Sequence, residues 1–415
     1  MTEDPNLLQR IQSLQFRQKD EAESLLLGFL QEVFSADVAA VELRPLAVSL
    51  NSFNGFITLT DGKRYFFKTH TEPDTLIHEY YNAGQLADAG YPIIKPVFSS
   101  TEVGKQVLIY EVIESQSVFD VAWAIENGEE AKFDALEFAQ HTADDELLSL
   151  YLSSMQFQSS EAAEKTPIHQ LFYHRLTGGR LDRFYAEQQV IKLPLGQYTL
   201  GEVRSARWDI NSQIYDQTLD ELIQEAILNL QPAQQGISVI GHGDAHNGNV
   251  FLQFASDQVP SLLYFDPAFA GRHNPLLDIV KPLFHNVFAM WMYFPQDKKA
   301  KTPISHQQKG AFWYVDYDYP LPEVRKMFLR SKVDRVLLPL LKHMKSEGTL
   351  PVNWRTYLKS ALFCCPLLTM NLADNNRFPP EISLLGLAMA VEMGAESQNQ
   401  VSIIDQVLNE VSDQL

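Results

Sequence analysis

Apolar residues recur at helical spacing through residues 5–34: Leu7, Leu8, Ile11 and Leu14, then Leu25, Leu26, Phe29, Leu30 and Phe34. One or two amphipathic helices are therefore expected at the start of the chain. From 40 to 70 the period shortens. "AVELRPLAVSL" and "GFITLT" read as strands, "DG" at 61–62 as a hairpin turn and "KRYFFKTH" as the returning strand. "DTLIHEYYNAGQLADAG", 74–90, predicts a helix with Asp74 as N-cap and Gly90 as its stop. "YPIIKPVFSS" and "KQVLIYEVI" then supply two more strands. Beyond 115 the pattern is mostly helical, over 117–126, 131–155, 160–187, 202–231, 275–293 and 320–347, with further helices to the end. The exception is 236–271, which reads strand, tight polar loop, strand, turn, strand. No internal repeat or low-complexity tract interrupts the chain.

This distribution predicts an α+β protein in two lobes. Residues 1–112 would form a small antiparallel sheet with leading helices and one packed helix, and 113–415 a larger, mostly helical lobe. Composition narrows the function. Of 415 residues 45% are hydrophobic, enough for a large core. Lys plus Arg number 33 against 52 Asp plus Glu, a net charge of −19, which argues against nucleic acid or an anionic membrane as partner. No signal-peptide pattern is visible, and no apolar run approaches the ~18 residues of a membrane span. The cysteines, Cys364 and Cys365, are chain neighbours without metal-site spacing, which points to a reducing, cytoplasmic setting.

The candidate chemistry sits in "VIGHGDAHNGNV", 239–250. His242, Asp244 and His246 alternate, with Asp266 and His273 downstream, and such clusters can bind zinc or iron. That reading leaves Asn249 without a role, because an amide oxygen suits Mg²⁺ better than zinc. Phosphoryl transfer uses more of the string. It needs an aspartate to deprotonate the attacking hydroxyl and hard oxygen ligands for Mg²⁺, with the base Asp, an Asn five residues on and a second Asp after a short hairpin. Asp244 and Asn249 are five apart, and "VFLQF", "ASDQVP" and "SLLYF" form a hairpin that would return Asp266 beside Asn249.

"HGDAHNGN", "YFDPAFAG" and "PLLDIV" together resemble the aminoglycoside phosphotransferase and choline-kinase superfamily, with its H-G-D-x-x-x-x-N, I-D-x-x-x-x-G and D-hydrophobic pattern. Fructosamine and methylthioribose kinases are similar here. The resemblance implies a two-lobed protein-kinase-like fold, ATP and Mg²⁺ as cofactors, and a small-molecule acceptor phosphorylated on a hydroxyl: an amino sugar, choline-like amine, ketoamine or thioribose. It implies Asp244 as base, Asn249 and Asp266 as metal ligands, His242 and Asp278 as supports of the loop, and His246 as either a packing residue or a substrate contact. A phosphate-orienting lysine and its helix glutamate would be Lys68 and Glu79. Ser52, Phe53 and Asn54 fall in the expected turn over the nucleotide, although Gly55 is the single glycine there. The backbone of Glu111 to Ile113 would meet the purine edge.

Gly243 stands where protein kinases carry an arginine, which favours a small-molecule kinase without activating phosphorylation. Two further tracts bear on the acceptor. Eight acids between 126 and 146 surround Lys132 alone and form either a cation-binding wall or a solvated helix face, whereas "FYHRLTGGRLDRFY" sets Arg175, Arg180 and Arg183 among aromatics and could either grip an anionic or sugar group or merely pack on the acidic helices. "FAMWMYF", 288–294, reads as core or as a wall of the substrate pocket. The alternative is a nucleotide-binding protein that kept the fold without catalysis.

Overall fold

Alternation of buried and half-exposed residues builds one antiparallel sheet from five strands: β1 (Val38–Leu43), β2 (Ser52–Leu59), β3 (Arg64–His70), β4 (Phe98–Ser100) and β5 (Val107–Glu111), in the order β1-β2-β3-β5-β4. The computed structural model describes residues 7–44, 52–70, 82–100, 102–254 and 259–415. It divides into two units, one of Met1–Gln116 with Leu263–Ala270, the other of Ser117–Leu262 with Gly271–Leu415. The segment 263–270 thus belongs to the first unit although the chain on either side of it belongs to the second.

In the first unit, period-2 side chains send Phe53, Ile57, Phe67, Val107 and Ile109 to one face of the sheet. The helices Leu7–Leu14 and Lys19–Val33 cover that face through Leu8, Ile11, Leu26, Phe29 and Leu30. On the other face Leu108 and Tyr110 pack with Phe66, Ile94 and Phe265. Residues 82–89 are helical, whereas Asp74 and Glu79 lie outside the described residues.

Ser52, Phe53 and Asn54 are strand residues, not the expected turn. The buried series Phe53, Gly55, Ile57 carries the alternation back to the start of β2, so Asn54 pairs with Lys68 and Ser52 with His70. Phe53 is consumed by the core, at 2% exposure.

The second unit is built around helices buried on nearly every side, Trp354–Leu368 and Pro380–Gly394. Its helical reading needs two corrections. Residues 160–187 break into Ser160–Glu164, Pro167–Leu171, Tyr173–Thr177 and Arg180–Tyr185, because Pro167 opens a new turn and Gly179 takes φ +87°. Residues 202–231 are not one helix either. The helix Leu200–Ser205 is followed by strands Arg207–Ile210 and Gln213–Tyr215 and then by helix Leu219–Asn229. Asn211 (φ +53°) and Ser212 (φ +64°) make the two consecutive left-handed residues of a tight hairpin turn. These strands join Phe312–Tyr317 and Ile304–Lys309 in a four-stranded sheet that the helical pattern concealed. Cys364 and Cys365 are buried free thiols. Among the described residues no helix is long and apolar enough to cross a membrane.

The strand placement of Phe53 has a direct test. Phe53→Ala should lower unfolding free energy in urea by about 3–5 kcal/mol, as core phenylalanine truncations do. A loss below about 1 kcal/mol, the range of most surface substitutions, would return Phe53 to a loop.

Candidate active site

The polar loop hangs from strand Gly236–Gly241, which is held on both sides by the antiparallel strands Gln156–Gln158 and Gly271–His273. Two glycines make the turn possible. Gly243 sits at φ +80°, a conformation L side chains avoid, and its N–H donates to Asp278 Oδ1 at 2.5 Å. A Cβ on Gly241 would stand 2.6 Å from the Asp278 carboxyl group. Asp278, in the first turn of helix Pro275–His285, also bonds His273 Nε2 at 3.1 Å and accepts the Tyr151 hydroxyl proton. Burial works to raise its pKa, but His273, Tyr151 and the Gly243 amide outweigh burial and hold it at about 2. The carboxylate is thus a fixed anchor for the loop.

Beyond the anchor the loop braces itself. The Asp244 amide faces His242 Nδ1 at 3.4 Å, the Gly248 amide donates to His246 Nδ1 at 3.1 Å, and Asn249 Nδ2 donates to the Asp244 carbonyl at 2.9 Å. The last bond uses the amide nitrogen of Asn249 and leaves its oxygen for another partner. Both histidines therefore turn a ring nitrogen to the backbone. Among the described residues no group of three His, Cys, Asp or Glu side chains could hold a metal ion, so the histidine-metal alternative finds no site there.

Asp244 itself is unusual. Its Oδ1 is buried and accepts no hydrogen bond among the described residues, while the buried Lys281 Nζ stands 3.5 Å away. Burial works to raise its pKa, yet the positive potential of Lys281, His246, Arg175 and His242 brings it below the ordinary carboxylate value. Lys281 Nζ also lies 3.1 Å from His285 Nε2, and Tyr293 Oη 2.8 Å from His285 Nδ1. Burial, then Lys281, His246 and Arg175, push the pKa of His285 well below its ordinary value, so it is neutral at pH 7. An ammonium can only donate, so His285 Nε2 accepts and Nδ1–H donates to Tyr293. Sequence reasoning missed Lys281 and His285, and placed Tyr293 only within a tract read as core or pocket wall. The available signal was spacing: Asp278, Lys281 and His285 stand at i, i+3 and i+7, one face of an otherwise apolar helix.

The other expected residues lie in the first unit. Lys68, on β3 between Asn54 of β2 and Leu108 of β5, ion-pairs with Asp266 Oδ1 at 2.7 Å. Asp266 adopts φ +56°, rare outside glycine and asparagine, and the neighbouring chain holds it there. Phe265 packs edge-on against Phe66 and Tyr110, Asn82 Nδ2 donates to the Pro267 and Ala268 carbonyls, and Tyr264 exchanges backbone bonds with Pro92 and Ile94. Glu111 ends β5, exposed and opposite Tyr65, and Ile113 lies just beyond the strand. The structure thus joins Lys68 to Asp266 in one unit, and Asp244, Asn249, His242, His246 and Asp278 in the other.

No family model matches the sequence, and no curated protein does. Solved structures do. An amicoumacin kinase in complex with AMP-PNP, Ca²⁺ and Ami is 14% identical, and the match covers 91% of this chain and 96% of that one with a TM-score of 0.50. The chain shares the fold of that kinase. A thermostable mutant of aminoglycoside phosphotransferase APH(4)-Ia also matches (11% identity, 89% of this chain and 98% of that chain, TM-score 0.48), as does spectinomycin phosphotransferase APH(9)-Ia (12% identity, 89% and 98%, TM-score 0.39).

In this kinase fold Asp278 makes a pH prediction. A carboxyl held at about 2, against an ordinary 3.8, stabilises the folded state above about pH 4 and loses that contribution as pH falls towards 2. Asp278→Asn should cost roughly 2–4 kcal/mol at pH 7 in urea unfolding. The gap from the parent protein should narrow steadily below pH 4. A gap that stays constant down to pH 2 would show that the carboxylate is not the anchor.

Proposed function

We propose that this chain is an ATP- and Mg²⁺-dependent kinase that phosphorylates a hydroxyl group of a small molecule in the cytoplasm. The observation that carries the reading is the buried, unsatisfied Oδ1 of Asp244, set in an anchored loop beside Lys281. A buried acceptor without a donor is costly unless a ligand supplies one, and an acceptor hydroxyl is such a donor.

In the step proposed, the hydroxyl donates its hydrogen bond and then its proton to Asp244. Its oxygen forms a bond to the γ-phosphorus of ATP while the bond from that phosphorus to the bridging oxygen breaks, and ADP leaves. Lys281 keeps Asp244 ionised in the resting state and offers positive charge to the transferred group. Lys68 would orient the phosphates, and its pairing with Asp266 holds both side chains in place meanwhile. The donors suit Mg²⁺: Asn249 has its amide oxygen available, and the second carboxylate oxygen of Asp266 is engaged by none of the described residues. Mg²⁺ brought in with ATP would neutralise phosphate charge. Gly243, required by its positive φ, excludes the arginine that reads an activation-loop phosphate, which supports a small-molecule acceptor.

ADP release with ATP, Mg²⁺ and a panel of alcohols tests the proposal. Asp244→Ala should reduce turnover at least ~10²-fold, the usual contribution of a general base, with the folded state retained. Asp266→Ala and chelation of Mg²⁺ should each abolish it. Full activity in both variants would refute the assignment.

A further inference from the structure

The second unit holds a cavity of about 300 Å³ that no residue of the Asp244 loop lines. Its walls come from the hairpin Arg207–Ile210 and Gln213–Tyr215, the end of strand Phe312–Tyr317 with residues 318–320, helix Pro380–Gly394 and the chain entering helix Ile403–Gln414. Phe288, Met389, Met393 and Ile404 are buried along it, whereas Asp318, Gln400 and Val401 are exposed. An apolar floor below a polar mouth is the usual make-up of a small-molecule site.

Its lining is aromatic and carries charge of one sign. Tyr215, Phe288, Tyr317 and Tyr319 share it with Asp318 and Glu392, and among the described residues no Lys, Arg or His lines it. The acidic helices Val118–Glu126 and Phe133–Ser154 are different, because their best-buried acids are neutralised within the fold. Glu126 is paired with Lys298 and with Arg325 at 2.7 Å, Asp144 with Lys332, and Asp145 with Arg335 at 2.7 Å. Glu392 has no such partner among the described residues. Half-buried, it accepts the Tyr317 hydroxyl proton on Oε2, and its other oxygen is engaged by none of them. Lys359, whose charge acts on it, is ion-paired with Asp405. Burial, with Asp405, pushes the pKa of Glu392 up to about 7 against the pull of Tyr317 and Lys359. A carboxyl group in such a place gains most from a ligand that brings positive charge, and aromatic rings stabilise the same kind of ligand. Tyr319 already does so within the fold, with Lys298 Nζ 5.7 Å from its ring centroid, whereas no described cation lies over Tyr215, Tyr317 or Phe288.

We propose that this cavity is a binding site for a small organic cation, whose ammonium group meets Glu392 while its carbon frame packs against Tyr215, Tyr317 and Phe288. The ammonium donates to the open carboxylate oxygen and keeps that carboxylate ionised. The ligand class is a compact primary amine rather than an anion or a neutral polyol. The site is independent of the phosphotransferase reading, since it shares no lining residue with the Asp244 loop.

One carbon ring in three charge states tests this: cyclohexylamine, cyclohexanone and cyclohexanecarboxylate, none with a hydroxyl to be phosphorylated. Binding to the full chain is measured by calorimetry at about pH 8, above the Glu392 value. The amine should bind roughly tenfold or more tightly than the ketone, and the carboxylate most weakly. Glu392→Gln, which keeps the shape and an oxygen for Tyr317, should lower amine affinity about tenfold and leave ketone affinity unchanged. Val401→Lys places a positive charge at an exposed lining position, where the fold tolerates it, and should also weaken the amine. It keeps the test decisive even where the Gln variant does not fold. Asp244→Ala should leave amine binding intact. Equal binding of the three rings, or no amine binding at millimolar concentration, overturns the proposal. So does amine affinity that is lost in Asp244→Ala and kept in Glu392→Gln.

Discussion

The buried carboxylate of Asp278 receives the Gly243 amide, bonds His273 and accepts the Tyr151 hydroxyl, and the geometry of the whole loop depends on that junction. Each partner comes from a different element: a tight turn, an edge strand and the long helix Phe133–Ser154. An ionised group in such a place is tolerated because three donors replace its water. The same closeness leaves no room for a Cβ at Gly241 and demands a left-handed residue at 243. The H-G-D string is therefore first a packing solution. Its chemical use follows from where the next residue is left.

That residue, Asp244, is left with a buried oxygen unsatisfied and a lysine just beyond hydrogen-bond reach. The lysine does not stand alone. It shares its proton donors with a neutral His285, which passes a hydrogen bond to Tyr293. This buried chain fixes Lys281, which forms a long ion pair with Asp244 at 3.5 Å and keeps positive potential on the loop. In the first unit the Lys68–Asp266 pair shows a related economy. The strained Asp266 backbone is held by Phe265 packing and by Asn82, so its carboxylate is presented by the fold and not by chance.

Much of this was legible in the chain, for identifiable reasons. The five-residue interval from Asp244 to Asn249 is local, and a loop that short translates spacing directly into geometry. Lys68 was legible because strand alternation fixes its register, and alternation is also what corrected Ser52, Phe53 and Asn54 from turn to strand. Non-local features were hidden. The strands Arg207–Ile210 and Phe312–Tyr317 pair in parallel across about a hundred residues, and each is too short to announce itself against helical neighbours. Lys281 and His285 were hidden by an apolar helix whose polar face becomes visible once Asp278 is taken as its first member. The acidic tract at 126–146 suggested a cation site because its counter-ions, Lys298, Arg325, Lys332 and Arg335, are supplied from far along the chain.

The proposed kinase reaction needs Asn249 and Asp266 each to offer an oxygen donor to a metal that arrives with ATP. Electron paramagnetic resonance of Mn²⁺, a spectroscopic stand-in for Mg²⁺, addresses it without any knowledge of the acceptor. Titrating the protein into Mn²⁺ and ATP should diminish the free-ion signal in the parent chain and much less in Asn249→Ala and Asp266→Ala. Equal Mn²⁺ uptake by all three proteins would rule out both residues as ligands.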